Sequence, residues 1–338
     1  MLHVPTAHST STLHEVARAA GVSPSTVSRI LNGTAKVSDD KRKAVEAAIA
    51  KLNYKPNLLA QGLKKGRGMT IGILTQDLAS PFFANALRGV EAALAGTGYA
   101  PLVVSGHWQA DEEAERVELL IARRMDGIII LSGCLSDAQI DEFAQRLPIV
   151  VTGRPVVAAH ACNIALDQEA GARLAVEYLL ARGHRRIAFI AGPPDHDDAQ
   201  ARLKGYRAVL EAAGIAYEPA MVAQGNFLES GGLDGVETLL ARQQQFSALL
   251  CANDQTAYGA RLALYRRGIA VPDEVSIIGF DDLHYSSYTT PPLTTVRQPV
   301  YEVGRQAAES VLQMLAGLPA EPRQLLLELV ERESVKPR

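Results

Sequence analysis

The sequence is short of what a secreted, metal-bound or membrane-spanning protein needs. It has three cysteines in 338 residues, Cys134, Cys162 and Cys251, set far apart inside apolar runs. That spacing builds neither a disulfide framework nor a zinc site, and predicts three small buried hydrophobes in a reducing compartment. No apolar run reaches the roughly 20 residues of a membrane-spanning helix. The opening MLHVPTAHSTST lacks the cationic start and apolar stretch of a signal peptide. The expected compartment is the cytoplasm, with a flexible tail over residues 1–10. Enzyme signatures are missing as well: there is no G-x-x-x-x-G-K-[ST] phosphate loop, no G-x-S-x-G elbow and no H-E-x-x-H pair. The eight histidines are scattered without metal-ligand spacing. The cluster Asp195-His196-Asp197-Asp198 reads as a solvated acidic loop. No catalytic residue, metal or cofactor is expected.

What is present is an uneven distribution of charge. At this length two or three domains are expected, and the net charge of −3 conceals a contrast between them. Residues 1–68 hold eleven Lys or Arg against four Asp or Glu, and the remainder holds 23 against 33. A small basic head is thus joined to an acidic body, the distribution that phosphate binding requires.

The head carries the stretch LHEVARAAGVSPSTVSRILNG. Thr12 and Glu15 are spaced for a capping box, opening a helix with the apolar stripe Leu13, Val16, Ala17 and Ala20. Gly21 supplies a tight turn. Ser23 is a good N-cap, and Pro24 occupies the first helical position, where its missing N–H costs nothing. The second helix buries Val27, Ile30 and Leu31 and ends at Asn32-Gly33. A third begins at Ser38, has Asp39 and Asp40 in its first turn, buries Val45, Ile49 and Leu52, and stops at Tyr54-Lys55-Pro56. Two short helices joined at a glycine and buttressed by a third form a helix-turn-helix over residues 11–56, its second helix the recognition helix. Arg29 has the reach for a guanine edge, and Ser23, Ser25, Thr26 and Ser28 are short donors for phosphates. Pro24 and Ser25 stand where bases are approached first and have little reach. A helical hairpin alone also serves as a packing motif; the local charge favours DNA.

From residue 69 onward short apolar runs alternate with amphipathic stretches. Strands are expected at 70–74, 101–105, 127–131, 148–152, 186–191, 248–252 and 275–280. Helices are expected near 83–95, 112–124, 169–182, 199–213, 256–267 and 300–316. Such alternation predicts an α/β core of parallel sheets with helices on both faces, in which ligands bind beyond the carboxyl ends of strands. Those ends carry Asn253 after one strand and Asp281 after another, with Arg202 following the loop after a third. Carboxylate, amide and guanidinium groups suit sugar hydroxyls, each of which donates and accepts. Phe82, Phe83 and Phe227 offer faces for the apolar side of a sugar ring. Ser132 is a further candidate, and Trp108 one at the rim.

The head string, continued by VSDDKRKAVEAAIAKLNYKPNLLAQGL, closely resembles the DNA-binding head of the lactose/galactose-repressor (LacI/GalR) family, and the resemblance runs on to the end of the chain. It implies a hinge helix and linker over residues 57–68, beginning at Asn57, with Leu63 wedged into a central base step and Lys64 on flanking phosphates. Leu58, Leu59 and Leu63 are too apolar for a bare linker, yet so short a helix is marginal alone and would fold against DNA and a second copy. The resemblance also implies a two-lobed, periplasmic-binding-protein-like core at 69–338. Its first lobe spans about 69–166 plus a returning C-terminal segment, and its second about 167–298. Arg202, Asn253 and Asp281 fall where the family holds its effector, and Phe227 where an aromatic lines that pocket. The chain carries Asp167-Gln168 where many relatives have Asp-Asn. No heptad tail follows ERESVKPR, so a homodimer on a pseudo-palindromic double-stranded operator is implied. The implied function is an effector-responsive repressor of carbohydrate-utilisation genes. A transport-type sugar-binding protein shares the body, but the basic head and missing export signal disfavour it.

Overall fold

The structure is a computed structural model that describes residues 12–31, 37–54 and 67–338. The chain divides into two compact units, Met1–Gly68 and Met69–Arg338.

In the first unit α1 (Leu13–Ala19) opens with the expected capping box: the Thr12 N–H donates to Glu15 Oε2 at 2.6 Å and the Glu15 N–H to Thr12 Oγ1 at 3.3 Å. Gly21 turns the chain at φ 64°, a left-handed value that glycine adopts without steric cost. Ser23 caps α2 (Pro24–Leu31), its Oγ accepting the Thr26 N–H at 3.2 Å. Ser38 precedes α3 (Asp39–Lys51) as its N-cap, yet its hydroxyl makes no cap bond; Asp39 and Asp40 supply the favourable charge in the first turn. Val16, Ala17, Val27, Val45 and Ala48 form the core. The tail 1–10, Asn32-Gly33, Lys55-Pro56 and the hinge residues Asn57, Leu58, Leu59, Leu63 and Lys64 lie outside the described residues.

The second unit is built on two sheets. The first is parallel, in the order β2-β1-β3-β4-β5, from β1 (Thr70–Thr75), β2 (Ala100–Ser105), β3 (Gly127–Leu131), β4 (Ile149–Gly153) and β5 (Cys162–Ala165). Every residue of β3, GIIIL, is buried, as a strand covered on both faces must be. Ile129 and Leu131 face α4 (Pro81–Leu94) and α11 (Val300–Leu315). Ile128 and Ile130 face α5 (Ala110–Ala122) and α6 (Asp137–Ala144).

The second sheet runs β11-β10-β9-β8-β6-β7. Its strands are β6 (Ile187–Ala191), β7 (Val222–Gln224), β8 (Ala248–Cys251), β9 (Ser276–Asp281), β10 (Thr294–Arg297) and β11 (Glu328–Val330). One face is covered by α7 (Gln168–Ala181) and α8 (Asp197–Ala212), the other by α9 (Glu229–Ala241) and α10 (Asp254–Arg266). The helices α9 and α10 touch backbone to backbone: a Cβ on Gly232 would sit 2.0 Å from the Thr256 carbonyl oxygen. That contact needs glycine, and the glycines of ESGGLDGVETLLA are what hide α9 from a propensity reading.

Two corrections to the expected core follow. The sheets are not wholly parallel, because β11 pairs antiparallel with β10. The chain also crosses between lobes three times rather than twice: after β5, after β10, and again between α11 and β11. The last segment then locks onto the second lobe. Ser334 Oγ donates to the Ile277 carbonyl at 2.6 Å and accepts the Thr294 N–H at 2.8 Å. A strand arriving from the other lobe is free to run against its neighbours, which a short βα connection does not permit.

Candidate ligand cleft

The carboxyl ends of β1, β2 and β3 face those of β6, β8 and β9 across a cavity of about 510 Å³. All seven expected pocket residues, Phe82, Phe83, Ser132, Arg202, Phe227, Asn253 and Asp281, line it, and so does Trp108.

The second-lobe wall is polar. Arg202, on α8 and 4% exposed, donates through Nε and Nη2 to Gln168 Oε1 at 3.1 and 2.9 Å and through Nη1 to the Ala252 carbonyl at 2.5 Å. Its guanidinium lies 3.9 Å above the Phe280 ring centre. Gln168 Nε2 donates to Gln298 Oε1 at 2.9 Å, and Gln298 Nε2 to Asp281 Oδ1 at 2.7 Å. A pair of glutamines thus separates the guanidinium from the carboxylate, one at each of the first two lobe crossovers. Burial pushes the Asp281 carboxyl up to about 6 against the opposing pull of Arg202 and the Gln298 bond. Asp281 is held at φ 115°, a conformation costly for a residue with a side chain.

Neighbouring strand-end residues divide by direction. Asn253 caps α10, its Oδ1 accepting the Thr256 N–H at 2.9 Å, while its Nδ2 donates to the Phe227 carbonyl at 2.9 Å. It therefore both caps a helix and anchors Phe227, which sits at φ 64°. Asp254, the next residue, turns inward to accept from Leu283 N–H, Ser286 Oγ and Thr295 Oγ1. Burial and the nearby Asp281 push its carboxyl up to about 7. Asp282 points away from Asp281, pairing with Arg297 at 2.8 Å and Arg332 at 2.6 Å.

The first-lobe wall is aromatic. Phe82 and Phe83 meet edge to face at 5.3 Å, and Phe83 lies 6.1 Å from Trp108. Phe83 is also buried in the lobe core, so it serves both places. Gln76, at the end of β1, accepts the Trp108 N–H at 2.8 Å and donates to the Ser132 carbonyl at 3.0 Å. Buried Glu113 on α5 accepts the N–H groups of Cys134 and Leu135. These two side chains fix loops whose residues His107, Trp108 and Ser132 all have positive φ.

Two expectations fail here. Cys134 is exposed at the cleft and Cys162 half-buried, leaving only Cys251 as a fully buried hydrophobe. The cluster at 195–198 is solvated only in part: Asp195 and Asp197 are exposed, but His196 and Asp198 are half-buried. The His196 ring lies 4.3 Å from Trp108 and 5.1 Å from Phe227, and burial together with the charge of Arg202 lowers its pKa to about 4. Both ring nitrogens are buried without a hydrogen-bond partner, at a typical cost of about 1–3 kcal/mol per unpaired group. Asp198 lies beside it, half-buried, with its carboxyl raised by burial to about 6. Gln76, Gln298 and His196 were missed as pocket residues, and Gln168 as the partner that holds Arg202; the signal was their place at or shortly after strand ends.

On the head, Ser23, Ser25 and Arg29 are exposed and Pro24, Thr26 and Ser28 half-buried. Ser23 Oγ lies 2.8 Å from Ser25 Oγ and 2.9 Å from Thr26 Oγ1. Among the described residues no group of three or more potential metal ligands occurs, and no helix is long and apolar enough to cross a membrane.

Two family profiles match the chain: "Bacterial regulatory proteins, lacI family" over residues 12–57 and "Periplasmic binding protein-like domain" over residues 176–335. The HTH-type transcriptional regulator GalR of Escherichia coli (strain K12) is 37% identical over 310 residues, covering 91% of this chain and 90% of the relative. The chain belongs to the LacI family. Among solved structures of that family, the lac repressor dimer bound to operator and the anti-inducer ONPF superposes with a TM-score of 0.87 at 32% identity, covering 97% of this chain and 99% of the other. The CelR–cellobiose complex superposes with a TM-score of 0.71 at 33% identity, covering 96% and 99%. This LacI-family chain is a DNA-binding transcriptional regulator and not an enzyme.

Proposed function

We propose that this chain is a cytoplasmic repressor of sugar-utilisation genes that binds a pseudo-palindromic operator as a homodimer. An uncharged sugar in the cleft changes that binding. The observation that carries the effector reading is the composition of the cleft: one guanidinium, several amides and the Phe227 ring on one wall, the rings of Phe82, Phe83 and Trp108 on the other. Asp77, Asp195, Asp198 and Asp281 line the cavity against the single Arg202. Four carboxylates around one cation repel a phosphorylated or acidic sugar and suit hydroxyls. Arg202 and Asp281 bond the sugar hydroxyls, Asn253 and Ser132 supply further polar contacts, and Phe82, Phe83 and Phe227 cover the ring. In the head, Arg29 reads a base while Ser23, Pro24, Ser25, Thr26 and Ser28 lie along the backbone. Asn57, Leu63 and Lys64 are assigned to the hinge, with Leu63 as the wedge into the minor groove. A sugar acts through its different affinity for the free and the DNA-bound arrangements.

Gel-shift assays on the promoters neighbouring the gene, run at several salt concentrations, test the DNA reading. Sequence-selective binding that weakens steeply with salt is expected. Its absence overturns the operator assignment. Thermal melting with neutral sugars and with sugar phosphates tests the cleft. A sugar at 100 times its dissociation constant adds about 2.7 kcal/mol, and stabilisation by phosphorylated sugars alone would reverse the charge argument.

A further inference from the structure

We propose that Gln168 and Gln298 are positioning residues: as a hydrogen-bonded spacer they hold the Arg202 guanidinium and the Asp281 carboxylate apart, so that both can bond one ligand and their separation sets which pair of hydroxyls fits. The inference rests on the cleft holding a polyhydroxylated molecule, as set out above. The two glutamines lie on different crossovers between the lobes. Gln168 opens α7 after the crossing from β5, and Gln298 stands on the crossing from β10 to α11. They are 130 residues apart in the chain and only 5% and 3% exposed, and their side chains meet at 2.9 Å.

The charges at the two ends fix which way each amide faces. A guanidinium only donates, so Gln168 turns its carbonyl to Arg202 and its NH2 to Gln298. Gln298 must then offer its carbonyl to Gln168, which leaves its NH2 for Asp281 Oδ1. Both amides therefore point their carbonyl ends toward the cation and their NH2 ends toward the anion, and each charge is stabilised without touching the other. Arg202 uses three of its five N–H groups, two on Gln168 and one on Ala252, and bonds no carboxylate. Asp281 accepts from Gln298 through Oδ1, and no other donor among the described residues reaches its carboxylate, so Oδ2 remains for a ligand. A direct ion pair in this place would have to be broken by any ligand that used either group. Packing alone would be served as well by two apolar side chains of the same shape, which leave nothing unpaired.

The Asp281 carboxyl reports on the spacer. Burial raises it to about 6, while Arg202 and the Gln298 bond hold it down; Asp198 of α8 and Asp254 of α10 are the other charges that face it. None of these neighbours changes when a glutamine is replaced, and removing the donor moves the loss of the carboxylate to higher pH. The experiment titrates the full-length protein with glucose, galactose, ribose and cellobiose by calorimetry between pH 5 and 8, for the wild type, Gln298→Met and Gln168→Glu. Wild-type affinity is expected to fall as pH drops through about 6. Gln298→Met keeps the bulk and removes the donor: affinity at pH 8 should fall about tenfold and the midpoint rise by about one pH unit. Gln168→Glu keeps an acceptor of the same length for Arg202 but cannot donate. Gln298 then turns its NH2 toward the new carboxylate and its carbonyl toward Asp281, so the midpoint rises here too, although Arg202 is held more firmly. A role in packing alone moves neither midpoint, and should Gln298→Met not fold, Gln168→Glu carries the same two readouts. If the wild type binds a sugar and the folded variants bind it within twofold at an unshifted midpoint, the inference is overturned while the cleft reading stands. If the wild type binds none of the panel, the cleft reading falls and this inference with it.

Discussion

The two lobes share a parallel sheet flanked by helices, yet they bring opposite chemistry to the cleft. The first lobe presents rings, Phe82 and Phe83 from the start of α4 and Trp108 from a loop of positive φ held by Gln76. The second presents charge and amides from strand ends and helix starts: Arg202 and Asp281 are linked through Gln168 and Gln298 in one buried hydrogen-bond network, and Asn253 is fixed separately against Phe227 and Thr256. The difference suggests a division of labour. Under the proposed sugar reading, the pre-bonded polar wall would select hydroxyl geometry, because its groups are already oriented when the ligand arrives. The aromatic wall would exclude water and cover the ring, a task that tolerates small displacements.

Arg202→Ala should break the comparison most severely. It removes a buried cation from among Asp198 and Asp281 and strands the Gln168 and Ala252 acceptors, a loss of about 3–5 kcal/mol in stability. Sugar-induced melting shifts should vanish while operator binding by the folded variant persists. Denaturant unfolding and gel shifts measure the two, and loss of DNA binding in a folded variant would refute the separation. Gln76→Leu attacks the aromatic wall by leaving the Trp108 N–H and Ser132 carbonyl unpaired. A stability loss of about 2 kcal/mol is expected, with weakened but surviving sugar binding. Complete loss would mean that the first lobe also sets hydroxyl geometry.

The pH response isolates His196. Its folded pKa of about 4 lies below the ordinary 6.5, so the stability it allows is complete above 6.5 and is lost as pH falls from 6.5 toward 4. Wild type should therefore lose stability relative to His196→Phe across that window, by at most about 1.4 kcal/mol per pH unit. The raised carboxyls of Asp198, Asp254 and Asp281 are common to both proteins and drop out of the difference. Parallel melting curves between pH 7 and 5 would show the ring to be solvated. The smallest effect belongs to Trp108→Phe at the 36%-exposed rim. An aromatic face remains, so affinity measured calorimetrically should fall less than about tenfold.

The lobes also differed in how openly their sequences declared them. Gly127–Leu131 was legible as a buried strand, Asn253 and Asp281 because they stand where apolar runs end, and Arg202 because it follows the loop after another such run. The three-residue strands β7 and β11 were not, since no periodicity develops over three residues. The acidic look of Asp195–Asp198 concealed a half-buried ring with covered nitrogens, because sequence reports what a residue is and not what covers it.

Local chemistry decided much of this protein from sequence alone. Capping residues, helical stripes and alternating runs each act within a few residues of chain, so the three-helix head, the α/β body and the polar strand ends could be read directly. Only the tertiary structure decided the rest. It set the glutamine pair between Arg202 and Asp281, the anchoring of Trp108 by Gln76, the third crossing to β11 and the placement of His196 between two lobes. Each of these depends on which distant groups remain unpaired once the chain has closed around them, and no local pattern encodes that.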